Sequence, residues 1–169
     1  FYIDYYSTPE QPYLISLYQT QGNKQLRVLE TNEGLARKYK EYGVPKKEFF
    51  QYTAGDGATK VDGYIMKPAV QAGKKYPVLV FQYSGPRSNS VSNNFGSGST
   101  ASWHHMLVQK GIAVAVVDTR GTGSRGEAFT KQTYRELGKL ELEDLLAVGK
   151  YLGGLDYIDK DRLAIWGWS

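Results

Sequence analysis

Three almost continuously apolar runs set the strongest limit on how this chain of 169 residues can fold. The runs lie at 77–83, 112–118 and 163–168. Since they lack polar alternation, they suit strands that are buried on both faces. Helical patterns lie between them, at 101–110, which ends at Gly111, and at 138–152. Strands that alternate with helices predict an α/β layer built on a parallel sheet.

The pattern over 138–152 is that of an amphipathic helix. Its apolar positions are Leu142, Leu145, Leu146, Gly149 and Leu152. Its charged positions, on the opposite side, are Glu141, Glu143, Asp144 and Lys150. We therefore expect the leucine face to pack against the sheet.

The first 30 residues follow a different pattern, in which apolar and polar residues alternate. Strands are predicted at 1–6, 13–18 and 25–30. Strands joined by such turns form an antiparallel meander, which is too small to bury a core alone. The pattern suits a β-propeller blade and the edge of a sandwich equally. A polar stretch at 31–48, a short helix or a linker, separates the meander from a strand pair at 49–53 and 61–67.

Composition argues against several classes of protein. The net charge of +4 comes from basic residues scattered singly or in pairs, which does not favour nucleic-acid binding. No apolar run approaches the ~18 residues of a transmembrane helix. The absence of cysteine removes disulfides, zinc thiolate sites and cysteine nucleophiles. The adjacent His104 and His105 have no ligand partner in register, so we predict no metal and no cofactor.

A glycine-rich stretch, Gly121 to Gly126, matches the spacing of a dinucleotide-binding loop. Three intervening residues, Asp118 to Arg120, separate it from the preceding strand, whereas that fingerprint lies in the tight turn itself. About 20 residues further on, where an acidic ribose ligand should end a strand, the chain is in the predicted helix. We favour a structural loop, with Arg120 and Arg125 as local anchors.

The run that ends in Gly167-Trp168-Ser169 has the form of half a nucleophile elbow. A serine hydroxyl is a weak nucleophile, so it must be held at a strand end where a base can reach it. The small residue two positions earlier, Gly167, avoids a clash in the sharp turn. The alternative is an ordinary serine at a strand end.

Tyr83 ends the first apolar run and precedes Ser84. In α/β-hydrolases, the loop after the corresponding strand supplies one donor of the oxyanion hole. A tyrosine hydroxyl could replace that backbone donor, and the alternative is a tyrosine that caps a strand and packs its ring.

Neither histidine suits a general base, because in the α/β-hydrolase order the base follows the nucleophile. We therefore expect His104 and His105 to be structural. Asp118 and Asp161 also precede Ser169, which makes them poor triad acids, and Asp118 is expected to hold its loop.

Four stretches together carry a family resemblance. They are Tyr83-Ser84-Gly85-Pro86, Asp118–Gly123 with Arg125-Gly126, Leu137-Gly138 ahead of Glu141–Asp144, and Asp161–Ser169. In order and spacing they resemble the prolyl oligopeptidase family of serine peptidases, in its bacterial-type dipeptidyl peptidase IV branch. The resemblance implies the end of a β-propeller domain at 1–33, a linker at 34–48 and the N-terminal half of an α/β-hydrolase sheet at 49–169.

The resemblance also implies roles for three residues. Ser169 would be the acyl-forming nucleophile, Tyr83 would donate its hydroxyl to the oxyanion, and Trp168 would line the entrance to the proline pocket. The reaction would release X-Pro or X-Ala dipeptides from peptides with a free N-terminus. The triad Asp and His would lie beyond Ser169, so residues 1–169 alone would be inactive. A homodimer at the cell surface or in the periplasm is the family expectation.

The chain begins at Phe1 without a signal segment and ends directly after a strand, so we interpret it as part of a larger protein. Three alternatives to the dipeptidyl peptidase interpretation stay open. One is another peptidase or an esterase on the same fold, the second is a family member kept as a binding module, and the third is nucleotide binding through 121–126.

Overall fold

The computed structural model of this chain describes residues 1–96 and 98–168, apart from the side chain of Ser99. Its contacts divide it into two compact units. They are Phe1–Lys46 with Asn93–Ser102, and Lys47–Ser92 with Trp103–Ser169.

The first unit contains an antiparallel sheet in the order β1-β2-β3. Its strands are β1 (Tyr2–Tyr6), β2 (Leu14–Gln19) and β3 (Lys24–Glu30), and helix α1 (Glu33–Glu41) follows. The alternating sequence pattern predicts this meander correctly. Stacking of Tyr2 on Tyr18, with ring centroids 5.3 Å apart, fixes one cross-strand pair.

The second unit contains a five-stranded mixed sheet in the order β4-β5-β7-β6-β8. Its strands are β4 (Glu48–Thr53), β5 (Lys60–Met66), β6 (Tyr76–Phe81), β7 (Ala113–Val117) and β8 (Ile158–Trp166). Among the described residues, the other α-helices are α2 (Gly98–Gln109), α3 (Glu127–Thr130) and α4 (Lys139–Gly153). The β4–β5 hairpin is antiparallel, whereas β6 runs parallel to both β7 and β8. The sheet therefore has the parallel α/β core that the apolar runs predict, extended by a hairpin.

Strand β7 lies at the centre of the core, and its five residues are all buried. Ala113, Ala115 and Val117 pack in one apolar cluster with Val148 and Leu152 of α4. The alternate residues of β7 pack on the other face with Val108 of α2. This two-sided burial explains why the run at 112–118 has no polar alternation.

The prediction that 163–168 is a buried strand is wrong for the described chain. Strand β8 is an edge of the sheet, and Leu163 and Ile165 are 38% and 58% exposed. The apolar run correctly predicts a strand, but a strand is buried only where other residues pack on it, and the described residues do not pack over Leu163 and Ile165.

The prediction of which face of α4 is buried is also partly wrong. Leu142 and Leu146 are 57% and 60% exposed, whereas Asp144 is fully buried. Val148 and Leu152 complete the buried face. The helix is rotated relative to the predicted orientation because Asp144 is bonded inside the protein.

Candidate active site at the ends of β6 and β8

Strands β6 and β8 are parallel neighbours, so their carboxyl ends lie at the same edge of the sheet. Phe81 and Trp166 are register partners at this edge, and the amide of Gln82 donates to the carbonyl of Trp166 at 3.2 Å. Tyr83 lies two residues beyond Phe81, and Trp168 lies two residues beyond Trp166. Two of the residues predicted to form the site therefore follow paired strand ends.

Gly167 allows the two strand ends to approach each other closely. A Cβ atom at this position would lie 2.9 Å from the carbonyl oxygen of Gln82. The sequence pattern predicts a small residue here because of the turn that follows. The structure supplies another reason, which is the neighbouring strand end.

Both described candidate residues are accessible to solvent. Tyr83 is 48% exposed and Trp168 is 73% exposed. Ser169, the predicted nucleophile, lies outside the described residues. The roles of Tyr83, Trp168 and Ser169 accordingly stay predictions.

The loop after Tyr83 has an unusual backbone. Ser84 and Arg87 have φ values of +52° and +66°, in the left-handed region that costs energy for residues other than glycine, and Gly85 between them has +99°. Ser88 ties the turn together, since its amide and its hydroxyl both donate to the carbonyl of Gly85, at 3.1 and 2.8 Å.

Asp118, directly after β7, holds the next part of this loop. Its Oδ1 accepts the amide of Ser90 at 2.9 Å. Its Oδ2 accepts the amide of Val91 at 3.0 Å and the side-chain amide of Asn89 at 2.6 Å. The sequence predicts that Asp118 holds its own loop, but in the structure its carboxylate holds the loop that follows the neighbouring strand β6.

The glycine-rich stretch packs against other parts of the protein. A Cβ on Gly121 would lie 2.5 Å from the side chain of Thr133, and one on Gly123 would lie 2.9 Å from the carbonyl oxygen of Arg87. Arg125 donates to the carbonyl of Lys60 at 2.6 Å. The glycines thus accommodate the protein's own chain, which favours the structural loop over a dinucleotide site.

Arg120, which is buried together with Asp144, is the centre of an ion cluster. Its guanidinium lies 2.8 Å from Asp144, 2.9 Å from Glu143 and 3.4 Å from Asp56. The pKa of Asp56 is lowered to about 2, mainly by the hydroxyl of Thr59 and then by the amides of Ala58 and Thr59. This cluster joins the end of β7 to α4 and to the turn after β4. The sequence pattern predicts Arg120 as an anchor, but it does not predict that Asp144 is buried.

His104 lies in an aromatic cluster, which agrees with a structural role. Its ring is 5.3 Å from Phe81 and 5.5 Å from Trp103, and Trp103 lies 4.7 Å from Trp166. Burial, with a smaller contribution from His105, lowers the pKa of His104 to about 4. The side chain is therefore neutral near pH 7.

Among residues 1–96 and 98–168, no helix has the length and apolarity needed to cross a membrane. Over the same residues, no cluster of His, Asp or Glu is arranged to hold a metal ion.

Comparison with known proteins relates part of the chain to one family. Residues 99–169 match the model of the prolyl oligopeptidase family. Over 156 residues, the chain is 38% identical to mouse prolyl endopeptidase FAP, covering 91% of this chain and 20% of the relative. Over 170 residues, it is 35% identical to dipeptidyl peptidase 4 of Trichophyton equinum, covering 100% and 22%. The chain thus spans about a fifth of the length of these relatives.

Solved structures agree with the fold described above. The crystal structure of Porphyromonas gingivalis dipeptidyl peptidase 4 matches with a TM-score of 0.91 and 40% identity, over 99% of this chain and 23% of that one. Pyrococcus horikoshii acylaminoacyl peptidase matches with a TM-score of 0.75 over 99% of this chain and 25% of that one, and at 21% identity this likeness concerns the fold alone.

Residues 99–169 thus match the prolyl oligopeptidase family, and over its whole length the chain is similar to part of the proteins compared above. Its relatives include dipeptidyl peptidase 4 proteins, with which it shares sequence over its whole length.

Proposed function

We propose that residues 1–169 form part of a serine peptidase that releases X-Pro and X-Ala dipeptides from the free N-terminus of peptides. In this proposal, 1–33 end a β-propeller, 34–48 are a linker, and 49–169 begin the catalytic α/β-hydrolase domain. The similarity to dipeptidyl peptidase 4 proteins supports the substrate class.

The observation that carries the proposal is the parallel pairing of β6 and β8 up to the Gln82–Trp166 hydrogen bond. It brings the segment after β6, with Tyr83, next to the segment after β8, which leads to Ser169. An acyl-transfer site requires such an arrangement, because the oxyanion donor must lie beside the nucleophile.

The chemistry proceeds through an acyl-enzyme. The Oγ of Ser169 attacks the carbonyl carbon of the scissile bond while its proton passes to a general base, and the carbonyl oxygen becomes an oxyanion. The phenol of Tyr83 donates a hydrogen bond to that oxyanion. The amine then leaves with the proton, and water hydrolyses the ester. His104 is not the base, since it is only 3% exposed and packs among aromatic rings.

Both histidines of residues 1–169 precede Ser169, whereas the general base of this fold follows the nucleophile, so we expect this segment to be inactive by itself. We also expect the whole protein to form a homodimer, which light scattering would measure.

A panel of chromogenic substrates on the whole protein tests the specificity. We expect cleavage of Gly-Pro-p-nitroanilide, little cleavage of N-blocked Gly-Pro-p-nitroanilide or acetyl-Ala-p-nitroanilide, and no cleavage of any of them by the Ser169→Ala variant. Activity that survives in the Ser169→Ala protein would contradict the proposed nucleophile.

An endopeptidase of the same family is the second candidate, because the relatives include a prolyl endopeptidase at 38% identity. Preferential cleavage of the N-blocked proline substrate would favour it and would contradict the dipeptidyl peptidase.

A further inference from the structure

We propose that Asp118 is a positioning residue. It fixes the oxyanion donor Tyr83 by hydrogen-bonding the loop at 84–91, which directly follows Tyr83. The inference rests on the proposed function, in which the Tyr83 hydroxyl stabilises the oxyanion. Asp118 belongs to a different strand end from Tyr83, so its effect would pass through the loop at 84–91 rather than through contact with substrate.

Asp118 is itself firmly held. It is 6% exposed and directly follows the fully buried strand β7. Its backbone amide donates to the carbonyl of Asp62 on β5 at 3.1 Å, and its carbonyl accepts the hydroxyl of Tyr52 at 3.3 Å. The carboxylate therefore projects from a fixed point of the core.

Three hydrogen bonds join this carboxylate to the loop. Both of its oxygens accept hydrogen bonds, from the backbone amides of Ser90 and Val91 and from the side chain of Asn89. Hydrogen bonds to an ionised acceptor are the stronger kind, and two backbone donors define the path of the chain as well as its distance.

Two further links connect the same loop to the segment after β7. The hydroxyls of Ser84 and Thr119 are 3.0 Å apart and hydrogen-bonded, and the amide of Gly123 donates to the carbonyl of Ser88 at 2.6 Å. Ser84 directly follows Tyr83, and Gln82 directly before it makes the sheet bond to Trp166. Tyr83 thus lies between Gln82, which is bonded to the sheet, and the loop that Asp118 holds in place.

The backbone explains why a clamp is needed. Two non-glycine residues of the loop, Ser84 and Arg87, adopt left-handed conformations. Such conformations persist only where the surrounding structure over-determines them. Without Asp118, we expect the loop to relax and Tyr83 to lose its fixed position, although its phenol stays chemically intact.

A donor that is loosely placed stabilises a transition state poorly, because catalysis depends on preorganised geometry. The loss should therefore appear mainly in kcat, with a small effect on KM. A residue that only stabilises the fold would instead lower the melting temperature without changing kcat of the folded enzyme.

A double-mutant cycle on the whole protein tests the inference with Gly-Pro-p-nitroanilide as substrate. We expect Tyr83→Phe to lower kcat about 100-fold, as for loss of one oxyanion donor. Asp118→Asn, which replaces one acceptor oxygen by a donor, should lower kcat at least about tenfold with KM nearly unchanged. The double variant should match Tyr83→Phe alone within a factor of about two, because a residue that acts through Tyr83 has no effect in its absence.

Asp62→Asn is the matched control. Asp62 lies on the adjacent strand β5, and its side chain accepts a hydrogen bond from the side chain of Gln51 at an exposed position, away from the loop at 84–91. This variant should keep the kcat of the parent protein. If Asp118→Asn does not fold, Ser84→Ala and Asn89→Ala, which each remove one link, should lower kcat in its place.

Independent effects that multiply in the double variant would overturn the inference, as would a normal kcat in Asp118→Asn or in both single-link variants. If Tyr83→Phe retains full activity, the oxyanion role in the proposed function fails, and the inference fails with it. The two failures can be told apart. If only the role of Asp118 is wrong, Tyr83→Phe still lowers kcat, whereas if the oxyanion role of Tyr83 is wrong, Tyr83→Phe keeps full activity.

Discussion

Gly167 shows how one missing side chain sets the geometry of a strand end. Its backbone lies so close to Gln82 that a Cβ would meet the carbonyl oxygen at 2.9 Å. Gly149 in helix α4 is different, since a Cβ there would meet nothing within 4 Å. The same substitution should therefore have opposite effects at the two positions.

We expect Gly167→Ala to lower the free energy of unfolding by about 1–3 kcal/mol, because the ends of β6 and β8 must separate. It should also reduce peptidase activity. Gly149→Ala, the matched control, should raise the free energy of unfolding by up to about 1 kcal/mol through helix propensity. Urea unfolding measures both, and an equally stable, fully active Gly167→Ala protein would contradict the close approach.

His104 should make stability depend on pH. Its folded-state pKa of about 4 lies below the value of 6.5 for an unperturbed histidine. Between these values the unfolded state binds more protons, so stability should fall as the pH falls from 6.5 towards 4, by at most about 1.4 kcal/mol per pH unit. His104→Phe, which keeps an aromatic ring, should flatten this profile. Identical pH profiles for the two proteins in denaturant unfolding would refute this explanation.

Helix α4 and the end of β7 are joined by an ion cluster rather than by apolar contacts alone. Asp144 accepts both the backbone amide and the Nε of Arg120, at 2.7 and 2.9 Å, and also the amide of Gly55 at 2.9 Å. Both ionic side chains are buried, Arg120 to 5% exposure and Asp144 completely. Breaking such a pair leaves a charge without its partner inside the protein.

We expect Asp144→Asn to lower the free energy of unfolding by about 3–5 kcal/mol, the usual cost of breaking a buried pair. Glu127→Gln removes an exposed pair with Lys131 and should cost no more than about 0.5 kcal/mol. Thermal or urea unfolding compares the two, and similar small losses would mean that the cluster adds little to stability.

Helix α4 and strand β8 show that a sequence pattern predicts an element better than it predicts which of its residues are buried. Helical spacing predicts α4 correctly, but it assigns the acidic residues to the solvent side. The spacing within a helix does not show that a distant arginine pairs with one of them. The partner of Asp144 is Arg120, which lies 24 positions earlier in the chain. An apolar run likewise predicts strand β8, but the number of its neighbours depends on the sheet as a whole.

At the scale of the molecule, the apolar pattern is enough to predict a parallel sheet, whereas the roles of the site residues stay predictions. Tyr83 and Gly167 each lie at the end of an apolar run, and parallel strands present such ends at one edge. The clamp at Asp118 could not be predicted, because its partners Asn89, Ser90 and Val91 lie in a loop with no periodic pattern.

The edge strand β8 should make residues 1–169 associate when they are expressed alone. Its outer edge has no paired strand among the described residues, and Ile165 is 58% exposed there. Ile165→Lys should reduce the association, whereas Leu142→Lys on the exposed side of α4 should not. Light scattering measures this, and a wild-type segment that stays monomeric at all concentrations would contradict the expectation.

Labelling of the whole protein with a fluorophosphonate tests most directly whether the ends of β6 and β8 form an acyl-transfer site. Mass spectrometry should locate the adduct on Ser169, and Tyr83→Phe should slow its formation by about 100-fold, because the phenol stabilises the developing charge. An adduct on another residue, or labelling at an unchanged rate in Tyr83→Phe, would contradict a site in which these two side chains act together.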